Sequence, residues 1–168
     1  TALGADGLQQ AARRGLPNLP NMVSAIPALT TEKTVEMFEK FGVFTRAELE
    51  SRSEVLYETY AKTTAIEAKT MLHMAGKHYI PAVVRYTARL ADSICKVRTA
   101  CPDADTTTQE QLLRETSALL ARASEAEKRL DAAVQKMNGI DCVREMATFC
   151  RDEVVPAMHE LRAPIDRL

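Results

Sequence analysis

TRAELESRSEVLYETYAKTTAIEAKTMLHMAGKHYIPAVVRYTARLADSICKVRT, residues 45–99, is the stretch whose reading decides the fold. It reads as helix for nearly its whole length. Thr45 and Glu48 form an S/T-x-x-E capping box: the threonine oxygen accepts an orphan N–H, and the glutamate reaches back to the cap. Only Gly76 and Pro81 interrupt the pattern. Proline lacks an N–H and its ring crowds the carbonyl four residues earlier, so a kink is expected near 76–81. Beyond it, Ile80, Val83, Thr87, Leu90, Ile94 and Val97 recur at alternating steps of three and four, a seam for partner helices. An unbroken helix over this stretch is about 80 Å long at about 1.5 Å per residue. The rest of the chain must cover it.

Working outward, TEKTVEMFEKFG (31–42) reads as a short helix, with Val35, Phe38, Met37 and Phe41 expected inward and Gly42 as its stop. Phe44, just before the Thr45 cap, is placed to staple to Leu49. Residues 1–30 form a proline-punctuated lead-in: a short helix over Ala5–Arg14 ended by Gly15, then Pro17, Pro20 and Pro27. After Thr99, ACPDADTTT is a turn, with Thr107–Glu110 or Thr106–Gln109 as the next cap. Leu112, Thr116, Leu119, Ala123, Ala126, Leu130, Ala133 and Met137 then follow a heptad seam. Leu113, Leu120 and Val134 widen it towards a second neighbour. In the last segment Val143, Ala147, Cys150, Val154, Ala157 and Leu161 repeat the spacing. Asp141 is its candidate cap, Pro156 an expected kink, and Pro164 a stop or a second bend.

These patterns predict an all-α fold: an elongated bundle of three long antiparallel helices, up-down-up and coiled-coil-like, with short N-terminal helices packed on it. The expected division is the lead-in over 1–30 and the bundle over 31–168. Its helices are placed at about 32–41, 46–99 kinked near 76–81, 107–138 and 141–163. No stretch alternates with period two, so no sheet is expected.

Composition agrees. The 168 residues are 46% hydrophobic and 27% charged, with 5% aromatic and no Trp. The apolar content is therefore mainly aliphatic side chains and methionine, the palette of helix–helix packing. A net charge of −1, from 22 basic and 23 acidic residues, gives no footprint for nucleic acid or an anionic membrane. No apolar run approaches the roughly 18–20 residues of a membrane span, and no secretory signal pattern opens the chain. Cys95, Cys101, Cys142 and Cys150 lie in or beside predicted helices. They read as reduced thiols of a cytoplasmic protein. The chain opens at Thr1 and stops at Leu168 inside an amphipathic pattern, so it is expected to be a piece of something longer.

Reactive chemistry is sparse. His73 and His78 are five apart, an offset that does not put two ligands on one face of an α-helix, and there is no H-E-x-x-H. Cys95 and Cys101 do not form a C-x-x-C pair, and neither phosphate-binding glycine motif occurs. The carboxylates Glu48, Glu50, Glu54, Glu58 and Glu67 alternate with Arg46, Arg52, Lys62 and Lys69, as on a solvated helix face. No catalytic, cofactor-binding or metal-binding residue is assigned. One contact region is: His78, Tyr79 and Arg85, beside the expected kink, where a proline leaves backbone carbonyls open.

Two segments carry a resemblance. LTTEKTVEMFEKFGVFTRAELESR (29–52) and YAKTTAIEAKTMLHMAGKHYIPAVVRYT (60–87) are similar to the C-terminal helical region of type III glutamine synthetases, the long-subunit class. GLPNLPNMVSAIPAL resembles the stretch leading into it, and VVPAMHELRAPIDRL extends the likeness. Ser53 stands where the resemblance implies an aromatic, and Ala65 where it implies Asn. The resemblance implies a parent enzyme that joins ammonia to glutamate with ATP and a divalent metal, Mg or Mn, through a γ-glutamyl phosphate. It also implies a large ring-shaped homo-oligomer and an upstream β-rich catalytic domain holding the ligands. None of those motifs is in this chain, so no catalytic residue is carried over. The expected role is an accessory helical domain serving packing and oligomer assembly, without ligase activity of its own. The alternative is a free-standing helical interaction or signalling bundle. The proline-rich lead-in favours the first.

Overall fold

A computed structural model describes residues 5–168, and among these the regular structure is entirely helical. Residues 1–4 of the expected lead-in lie outside the described residues. The chain divides into two compact units, Thr1–Tyr60 and Ala61–Leu168.

In the first unit, α1 (Ala5–Arg13) ends where the Leu16 N–H reaches back to the Ala11 carbonyl at 3.0 Å. Gly15 takes φ +70° there, a left-handed conformation that costs glycine nothing. α2 (Met22–Ala25) is capped by Asn21, whose Oδ1 accepts the Ser24 N–H at 2.9 Å. A 3₁₀ turn (Ile26–Thr30) with Pro27 at its start leads into α3 (Glu32–Lys40). Gly42, at φ +64°, stops α3 as expected, with the Val43 N–H on the Phe38 carbonyl at 3.0 Å. α4 (Arg46–Met74) then begins on the capping box: Glu48 Oε2 accepts the Thr45 N–H at 2.8 Å and the Thr45 hydroxyl at 2.9 Å. Val23, Ile26, Val35, Leu49 and Tyr57 are buried in this unit. Two side chains expected inward are not: Met37 is 47% exposed and Phe41 73% exposed. The nine-residue α3 is too short to bury more than a narrow stripe, here Val35 with half-buried Phe38. Phe44 contacts the Phe38 ring (centroids 5.5 Å apart), and the Arg52 guanidinium lies 4.3 Å from the Phe44 ring centroid.

In the second unit, α4 passes into a π turn (Ala75–Tyr79) and then α5 (Ile80–Ala100). α6 (Thr107–Met137) follows, then α7 (Val143–Phe149), a second π turn (Cys150–Val154) and α8 (Val155–Ile165). α6 packs against both α5 and α8. Both pairings are antiparallel. Arg98 of α5 pairs with Glu110 at the start of α6, and Gly76 faces Glu127 further along. Towards α8, Cys150 Sγ meets Met137 Sδ at 3.4 Å and Arg129 reaches Glu160 at 3.1 Å. The seam of α6 is buried at Thr116, Ala123, Ala126, Leu130, Val134 and Met137. Leu119 on the same seam is half-buried, and Leu112 is 42% exposed. In the last segment Ala147, Cys150, Val154 and Leu161 are buried.

Thr106 is the N-cap of α6, as in the second expected box, but neither expected box closes through its side chains. Asp105 Oδ1 accepts the Thr107 N–H at 2.9 Å. The hydroxyl of buried Thr106 donates to Glu110 Oε1 at 2.7 Å and accepts from Arg98 Nε at 3.2 Å. Hydrogen bonding from Thr106, reinforced by Arg98 and Arg114, holds the Glu110 carboxyl below its ordinary value. A basic side chain from the end of α5 thus sets the start of α6, a long-range partner that a local cap motif does not encode. Cys142, not Asp141, occupies the N-cap position of α7.

Candidate functional site

The region singled out around Pro81 is organised by the π turn. Pro81 has no N–H to give. The chain answers by widening one turn, so that the Ile80 N–H bonds back five residues to the Ala75 carbonyl. Helix continues on the far side because the α5 seam is held: Ile94 is buried, and Ile80, Val83, Thr87, Leu90 and Val97 are half-buried. The expected kink region is therefore a wide helical turn through which the helix continues.

Gly76 lies on this turn against α6. A Cβ there would come within 2.6 Å of Glu127 Oε1, so the missing side chain lets the carboxylate of α6 rest over the turn. On another side, Met71, Met74, Ala75 and Tyr79 face Leu161, Arg162, Ile165 and Asp166 of the α8 end across a mostly apolar groove of about 350 Å³. Ala75 and Leu161 are buried, and Tyr79 is 42% exposed at the rim.

The three residues of the expected contact region part company here. Tyr79 lines the groove. His78 is exposed and meets His73, with ring centroids 5.7 Å apart and planes at 68°. Arg85 is exposed on α5 and does not line the groove. The His73–His78 meeting departs from the expectation that an offset of five does not bring two ligands to one helix face. The signal that could have found it was the proline three residues after His78: a helix that continues through a proline must widen just before it, and a wide turn aligns residues five apart.

Burial pushes the Cys150 thiol up, away from the thiolate. Cys95, Cys101 and Cys142 are exposed free thiols. Among the described residues, no three His, Cys, Asp or Glu side chains gather as a metal cluster. No helix among the described residues is long and apolar enough to cross a membrane.

Comparison with known proteins places the chain. It is 28% identical over 167 residues to a type-3 glutamine synthetase of Dictyostelium discoideum, covering 97% of this chain and 23% of that protein. It is 28% identical over 159 residues to a glutamine synthetase of Butyrivibrio fibrisolvens, covering 95% of this chain and 23% of that protein. A glutamine synthetase of Bacteroides fragilis (strain YCH46) is 25% identical over 164 residues, or 95% of this chain and 22% of its own length. The chain therefore spans less than a quarter of the length of the relatives it matches. The profile of the family described as "Glutamine synthetase C-terminal domain" matches residues 4–98, more than half of the sequence, and the chain belongs to that family.

Proposed function

We propose that this chain is the C-terminal helical accessory domain of a type III glutamine synthetase. It serves packing and oligomer assembly and supplies no catalytic residue. The parent reaction is the ATP-dependent ligation of ammonia to glutamate, with Mg or Mn as the divalent metal. Its nucleotide, metal and glutamate ligands belong to an upstream catalytic domain of the same chain, and the parent is a cytoplasmic homo-oligomer. The observation that carries this reading is the match of 95–97% of the chain to 22–23% of much longer synthetases.

The test compares the full-length protein encoded by the parent reading frame with a version lacking residues 4–168. The full-length protein is expected to sediment as a large assembly with glutamate–ammonia ligase activity, and the truncated one as smaller species. Equal sedimentation of the two would overturn the assembly role. A reading frame without an upstream catalytic domain would overturn the assignment itself and leave a free-standing helical module.

A further inference from the structure

We propose that His73 and His78 form a two-imidazole chelate for a late first-row divalent cation, Zn²⁺, Ni²⁺ or Cu²⁺, clamped across the turn that Pro81 creates. In a regular α-helix, residues five apart point about 140° away from each other. A turn closed by an i to i+5 hydrogen bond brings that offset back to nearly one face. The Ile80 N–H to Ala75 carbonyl bond is such a closure, and the imidazole centroids lie 5.7 Å apart beside it.

That spacing suits a shared ion. With metal–nitrogen distances of about 2.0–2.1 Å, two imidazoles on one ion place their ring centroids about 4.5–6 Å apart. Both rings are exposed, so each is able to rotate to present a nitrogen, and water completes the coordination sphere. The donor type selects the ion: imidazole nitrogen suits zinc, nickel and copper, whereas magnesium and manganese favour oxygen ligands. The site is therefore chemically distinct from the Mg or Mn of the parent reaction, and it stands whether or not this chain serves a ligase. A bound ion ties the end of α4 to the π turn, where Pro81 has removed a backbone donor, and so restrains local opening of that turn.

The chain contains three histidines, which provides an internal control, since His159 lies on α8 and is exposed. The exposed thiols of Cys95, Cys101 and Cys142 are alkylated first, because thiolates compete for the same ions. Ni²⁺ is then titrated calorimetrically into the wild type and into H73A, H78A and H159A. The expected result is one ion per wild-type chain. Losing one of two tethered ligands removes the gain from effective concentration, so H73A and H78A each weaken binding by about tenfold or more. H159A stays within about twofold of the wild type. Absence of binding, wild-type affinity in H73A and H78A, or an equal loss in H159A would each overturn the proposal. Hydrogen exchange gives a second readout: saturating Zn²⁺ should slow the amides of residues 76–80 in the wild type but not in H78A. No slowing, or uniform slowing along the chain, would overturn it.

Discussion

Leu130→Ala tests the packing of the second unit at its centre. Leu130 is 0% exposed in the middle of α6, the helix that packs on both α5 and α8. The substitution removes three carbons, worth about 2.4 kcal/mol at about 0.8 kcal/mol per buried CH₂. A further cost depends on whether the neighbourhood closes over the gap. One turn away on the same helix lie Ala126 and Ala133, side chains too short to reach into it, and Val134 on the flank, with Ala123 and Met137 two turns away. Collapse is therefore poor, and the expected loss sits in the upper part of the range for buried leucines, about 3–5 kcal/mol. Urea unfolding followed by circular dichroism measures it, read as a shifted midpoint at constant slope. Leu112→Ala, on the same helix but 42% exposed, serves as the comparison and should cost below about 1 kcal/mol. A loss below about 1 kcal/mol at Leu130, or equal losses at both sites, would refute the reading of α6 as a helix buried on two flanks.

Three further outcomes follow from the same geometry. Under native conditions a thiol reagent should titrate Cys95, Cys101 and Cys142 quickly, and Cys150 only after denaturation; four fast thiols would show that Cys150 is accessible. The Thr45 N–H and hydroxyl hold the Glu48 carboxyl below its ordinary value, so the cap's contribution is complete above the ordinary glutamate pKa and lost as pH falls through the lowered one. Amides at the start of α4 should then exchange relatively faster at low pH in the wild type, once corrected for intrinsic rates, and show no such trend in Glu48→Gln; identical profiles would remove the cap from the account. Around Pro81, amides of residues 74–82 should exchange faster than those of 86–96, and equal strong protection in both windows would mean the wide turn is as rigid as α5.

Most of the helical framework was legible because its signals are local. Thr45 and Glu48 mark the start of α4 through one carboxylate and two donors three residues apart. Leu130, Val134 and Met137 are buried where the apolar repeat puts them, because α6 presents two flanks to neighbours. What stayed hidden depended on partners distant in sequence or on unusual side chains. The buried stripe of α4 runs through Leu49, Ser53, Tyr57, Ala61, Thr64 and Ala68. Hydroxyls and alanines dominate it, while Val55 and Ile66 face out, so hydrophobicity alone gives no clear seam. Ser53 is tolerated inside because its hydroxyl donates to the Leu49 carbonyl at 3.0 Å. The bonds that hold the start of α6 escaped for the other reason, since Arg98 belongs to the preceding helix.

The prolines show why the candidate site arises where it does. AGKHYIP and CRDEVVP are the same device in different letters: a five-residue π turn, one residue that donates five back, and a proline. Ile80 bonds to the Ala75 carbonyl, and Val155 to the Cys150 carbonyl. A proline inside an α-helix costs about 3 kcal/mol through its missing donor and its clash with the carbonyl four residues back. Widening the preceding turn relieves the clash, but it is worth doing only where a buried seam must continue. That condition holds at Pro81, ahead of Ile94, and at Pro156, ahead of Leu161. It fails at Pro164, which is buried in the last turn of α8, one residue before the helix ends at Ile165. There the helix stops and no turn widens. The imidazole pair is thus a by-product of core packing: the α5 seam demands continuation through Pro81, continuation demands the wide turn, and the wide turn brings His73 to His78.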